Sequence, residues 1–131
     1  MNGGDLKVDA ITLFVGDPQR SKAFYTKAFG LASIFEDDAS VVFRFENVVV
    51  NLLAVAAAPE LVDPAPVGDA DTGRRFALTV PVEDVDAACA ELANRGVELL
   101  NGPMDRPWGI RTASFTDPDG HVWEIAQPLD S

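Results

Sequence analysis

The order of elements read from the first half of this 131-residue chain is read again from the second. Residues 9–16, DAITLFVG, alternate around Ile11, Leu13 and Val15, the period of a half-buried strand. In the following DPQRSKAFYTKAFG, Asp17 is placed to cap a helix, Pro18 fits its first position and Gly30 ends it. Phe24, Tyr25, Ala28 and Phe29 give that helix an apolar stripe. Runs at 32–35, 41–45 and 48–55 read as three strands separated by the polar turns EDDAS and EN. Residues 57–74, rich in Pro, Gly and acids, read as a linker with a short helical turn near residues 60–62.

The order then recurs. RFALTV, residues 75–80, alternates around Phe76, Leu78 and Val80, so Ile11 can be laid over Phe76. Residues 82–95 carry Val85, Ala88 and Leu92 at helical spacing, and Gly96 follows as the cap. Strands are expected at 97–100, 110–115 and 122–126, with NGPMDRPWG as a loop between the first two. Two β-α-β-β-β modules, 8–56 and 75–127, are each too small for a core of their own and should form a single domain over 1–131.

Charge narrows the choice of partner. Ten Lys and Arg face 21 Asp and Glu, a net charge of −11. Such a polyanion gains nothing from counterion release on nucleic acid and is repelled by anionic membranes, so neither partner is expected. The same field mildly favours cationic ligands. No run approaches the length of a membrane span and the first residues lack an apolar signal core, so a cytoplasmic location is expected. Cys89, the sole cysteine, excludes disulfide scaffolds; set among alanines in a helical pattern, it reads as a small buried hydrophobe rather than a nucleophile.

The stretch FTDPDGHVWEIAQ, residues 115–127, holds the only histidine and a lone acid in an apolar run. Asp117-Pro118-Asp119-Gly120 is a turn sequence. In the strand after it, Val122, Glu124 and Ala126 share one face while His121, Trp123 and Ile125 share the other. His121 and Glu124 therefore cannot bind one metal together.

Taken together, VGDPQRSKAFYTKAFGL and FTDPDGHVWEIAQ resemble the vicinal oxygen chelate superfamily, which includes glyoxalase I, extradiol dioxygenases and bleomycin-resistance proteins. The resemblance runs from about Val8 to Gln127. It implies an α+β fold: two tandem βαβββ modules forming an open, cupped mixed sheet, helices on its outer face, a ligand cavity in the cup and a homodimer. Metal-using members place ligands early in the first strand and in the last strand of each module. Carried over one at a time, these positions fall on Ala10, Asn51, Arg75 and Glu124. Alanine has no donor, a guanidinium never ligates, and Asn is a poor ligand for the metals concerned. No metal and no other cofactor is therefore expected, and the family's metal chemistry falls with it. A carboxylate site built from Asp9 and Glu124 is the remaining alternative.

In place of the metal, Arg75 either pairs with Glu124 or stands in solvent at the start of its strand. Phe14, Phe35, Phe43, Asn51, Arg75, Trp108 and Glu124 are the expected ligand-binding residues, although any single aromatic could instead fill core. The resemblance points to a metal-free protein that sequesters a small molecule, an antibiotic or an aromatic metabolite. The alternatives are a lyase, isomerase or dioxygenase-like enzyme acting on a small carbonyl or aromatic substrate, with Glu124 or Asp119 as base, and a regulatory module with a vestigial cup. No nucleophile–base pair is legible, so binding is favoured over catalysis.

Overall fold

Asp17 and Asp84 start the two main helices in the same way. Each has an extended backbone, and its carboxylate accepts from helix N–H groups: Asp17 from Gln19 and Arg20, Asp84 from Ala87. In this computed structural model, which describes residues 3–130, the chain divides into two compact units after Asp69, within the proline-rich stretch.

The first unit runs β1 (Ala10–Val15), α1 (Pro18–Phe29), β2 (Ser33–Glu36), β3 (Ser40–Arg44), β4 (Val49–Ala54) and a short α2 (Pro59–Val62). Its mixed sheet has the order β1-β4-β3-β2, with β1 parallel to β4 and the other pairs antiparallel. Gly30, at φ 70°, closes α1 by donating to the Thr26 carbonyl, a left-handed position that a side chain would strain. One face of the sheet packs on α1. There Leu13, Val15, Val41, Phe43, Val50 and Leu52 are at most 2% exposed and meet Tyr25 and Ala28 of the helix.

Glu36, at the end of β2, is tied to α1. Its carboxylate meets Lys22 Nζ at 2.6 Å and accepts from Ser33 Oγ and Gln19 Nε2. Lys22 above all, then Ser33 and Gln19, hold its pKa down at about 2. A depressed carboxylate stabilises the folded state above its ordinary pKa, and that contribution is lost as pH falls from about 4.5 toward about 2. Glu36→Gln should therefore melt closer to wild type at pH 3 than at pH 6, as read by thermal melts at the two pH values.

The second unit runs β5 (Ala77–Pro81), α3 (Val85–Asn94), β6 (Leu99–Asp105), β7 (Ile110–Thr116) and β8 (Val122–Pro128), in the order β5-β8-β7-β6. β5 is parallel to β8 and the rest is antiparallel, so the topology of the first unit recurs. The helix begins three residues later than the apolar pattern suggested, because Asp84 is the cap and Gln127 Oε1 takes up the Val85 N–H at 2.6 Å. Val85, Cys89, Leu92, Val97, Phe115, Trp123 and Ile125 form the core under α3, and burial pushes the Cys89 thiol upward.

The expected loop NGPMDRPWG is loop only in its second half. Residues 101–105 belong to β6 and pair with β7 through Asn101–Ser114, Met104–Thr112 and Asp105–Arg111, with register shifts on either side of Asn101. Gly102, at φ 85°, absorbs the irregularity. No helix among the described residues is long and apolar enough to cross a membrane.

Candidate functional site

A helix covers one face of each sheet, so any ligand chemistry must come from the other, the far face. In the first unit strand register sets Thr12, Asn51, Val42 and Phe35 side by side across all four strands, with Phe14 beside Leu53 in the next row. Three expected residues, Phe14, Phe35 and Asn51, thus share the far face, and Phe35 is 54% exposed. Asn51 Oδ1 is buried without a hydrogen-bond partner, an acceptor free to take a donor. Phe43 is not among them. It points to the helix side, fully buried, its ring 5.9 Å from that of Tyr25, and so belongs to the core.

In the second unit the matching row is Thr79, Glu124, Ser114 and Asn101. Glu124 shares this face with Val122 and Ala126, while Trp123 and Ile125 are buried toward α3, the alternation expected from the sequence. Its partner is not the expected one. Glu124 Oε1 accepts from Thr79 Oγ1 at 3.0 Å, and no ion pair joins it to Arg75 among the described residues. Arg75 is exposed and precedes β5, four positions before Thr79, so it does not share the row of Glu124.

The cation of this face is one that the sequence did not single out. Arg106 folds back from the β6–β7 turn, its Nε donating to the buried Thr112 hydroxyl at 2.9 Å and its Nη2 reaching Asn101 Oδ1 at 3.4 Å. Thr112 lies two residues along β7 from Ser114, on the same face. The guanidinium carbon stands 5.9 Å from the ring centre of Trp108, which is 66% exposed.

His121 lies apart from this row, as alternation requires. It is clipped to the turn: the Asp117 carboxylate, fully buried, meets His121 Nδ1 at 2.8 Å and accepts from the backbone N–H groups of Asp119 and His121. Removing a buried acceptor strands its donors. Asp117→Ala should therefore cost about 2–3 kcal/mol in urea unfolding, while a cost below about 0.5 kcal/mol would remove the clip from the account.

The family's metal positions can now be placed by register. In the first unit Ala10 lies two residues before Thr12, the partner of Asn51; in the second the same place, two residues before Thr79, is Ala77 rather than Arg75. Asp17 and Asp84 keep the same spacing to those threonines, so Ile11 corresponds to Leu78 and not to Phe76. A slip of two residues preserves strand alternation, which is why apolar phase alone did not detect it. Both first-strand positions are thus alanine. Among the described residues no three His, Cys, Asp or Glu side chains come together, and Ala10, Asn51, Ala77 and Glu124 do not make a donor set that fits a catalytic zinc, nickel, manganese or iron ion.

The model of the Glyoxalase/Bleomycin resistance protein/Dioxygenase superfamily matches residues 7–125. The chain belongs to this superfamily. Its similarity extends to YraH, an uncharacterized protein of Bacillus subtilis, 31% identical over 95% of this chain and all of that one. Among solved structures, a glyoxalase/bleomycin resistance protein/dioxygenase from Nocardioides superposes with a TM-score of 0.85 at 25% identity, covering 96% of this chain and 85% of the other. TnmS3, an antibiotic binding protein from Streptomyces sp. CB03234, superposes with a TM-score of 0.72 at 28% identity, covering 97% and 99%. Membership accounts for the duplicated βαβββ topology, and it leaves the chemistry to the side chains on the far faces.

Proposed function

We propose that the protein is a metal-free small-molecule-binding protein that sequesters an antibiotic or an aromatic metabolite on the far faces of its sheets. The observation that carries this reading is the row Thr79–Glu124–Ser114–Asn101 together with Ala77. The acid at the family's last-strand position is held by a hydroxyl, and the position where a metal-using member supplies a donor is a methyl group. What the row offers is hydrogen bonding and shape, flanked by the exposed ring of Trp108. The likeness to TnmS3 over 97% of this chain supports an antibiotic as ligand. In the same proposal the two modules act as one domain in the cytoplasm, and two copies of the chain associate as a homodimer.

A thermal-shift screen tests this reading, run with bleomycin-like drugs and aromatic acids in EDTA and again with added Zn(II), Ni(II) or Mn(II). Saturable shifts in EDTA, with the compound recovered unchanged, are expected. Shifts that appear only with a metal, or turnover of the compound, would overturn it.

A further inference from the structure

Arg106 stands out in an acidic chain because it is half-buried and held by side-chain hydrogen bonds, whereas Lys27, Arg44, Arg74 and Arg75, also without a carboxylate partner among the described residues, are exposed. Twenty-one acids outnumber ten cations. Arg111 is held between Asp86 and Asp105, Arg95 pairs with Glu91 and Lys22 with Glu36. Arg106 is half-buried and is joined to no carboxylate among the described residues; both of its side-chain partners, Thr112 and Asn101, are neutral. These bonds fix one edge of the guanidinium, whose carbon stands over the ring of Trp108. Its remaining N–H groups have no partner among the described residues. A planar fork whose rotamer is already fixed loses little entropy when it binds an anion, and it matches two carboxylate oxygens at once.

We propose that Arg106 is an anion-recognition residue on the far face of the second unit, and that the ligand is a planar aromatic molecule carrying a carboxylate. The ring of such a ligand lies against Trp108, and its carboxylate takes the free edge of Arg106. Thr79, exposed in the next row, can meet a neutral polar substituent, while Glu124 disfavours a second anionic group there. The net charge of −11 opposes an anion at long range, but salt screens that field beyond about 8 Å. A charge-assisted contact at hydrogen-bond distance outweighs it. This inference rests on the small-molecule-binding reading and adds the ligand's charge class.

The test compares 1-naphthoate with its neutral counterpart 1-naphthalenemethanol. Binding is followed by quenching of tryptophan emission; Trp108 is exposed and Trp123 buried, so the change reports on Trp108. Wild type should bind the carboxylate roughly tenfold or more tightly than the alcohol. Arg106→Met should abolish that preference and keep binding of the alcohol, and Arg106→Lys should restore part of it. Trp108→Leu, followed by calorimetry, should weaken both compounds alike and keep the preference. Equal binding by wild type, or a preference that survives Arg106→Met, overturns the inference and leaves the binding reading standing. Failure of both compounds to bind wild type overturns both.

Discussion

Phe43→Ala should destabilise the protein by about 3–5 kcal/mol, the cost of emptying a large aromatic from a packed core. Phe43 is fully buried on the helix side of its sheet and packs with Tyr25, itself a member of an aromatic cluster with Phe24 and Phe29. Flanked by Val41, Val50 and Leu52 on the same face, the site has little freedom to collapse. For a domain of this size the loss corresponds to a drop of roughly 10 °C or more in Tm. Ligand affinity at temperatures where the variant stays folded should be unchanged. A variant that melts like wild type but loses ligand binding would return Phe43 to the far face.

Gly102→Ala should cost at least about 3 kcal/mol, from two independent causes. The residue sits at φ 85°, where a Cβ is strained. An added Cβ would also stand 2.6 Å from the Thr112 carbonyl oxygen and 2.8 Å from the Ala113 Cα, both backbone atoms that cannot swing away. Relief would require β6 to separate from β7. Since Thr112 also anchors Arg106, the variant should lose the preference for the aromatic carboxylate along with stability. Urea unfolding measures the first effect. A cost below about 1 kcal/mol would mean that residues 101–105 form the open loop that their Gly and Pro suggest, and not a paired strand.

The features legible in the sequence are those set by local chemistry. Asp17, Pro18 and Gly30 bound α1 because capping and glycine's access to positive φ act within one turn. Glu124 and Trp123 could be assigned to opposite faces because polar and apolar residues alternate cleanly in that strand. Phe43 was misassigned although alternation sets it with Val41 and Phe45 opposite Arg44: Val42 makes the other side partly apolar as well, and pairing with β4 decides which side meets the helix. The register of the repeat failed for a related reason, since a two-residue shift leaves every apolar residue on its own face. NGPMD was misread because a strand that takes a glycine at positive φ resembles a turn in composition. Arg106 was missed because its role depends on a hairpin that returns its side chain over Thr112, a contact six residues away that no periodicity encodes.

The central claim is that this member of the superfamily binds a small molecule without a metal. The most direct measurement is a calorimetric titration of EDTA-stripped protein with 1-naphthoate, repeated after addition of one equivalent of Zn(II) or Ni(II) per chain. The account predicts a saturable isotherm in the stripped protein, with the same affinity after either metal. An isotherm that appears, or tightens tenfold or more, only when metal is present would contradict it.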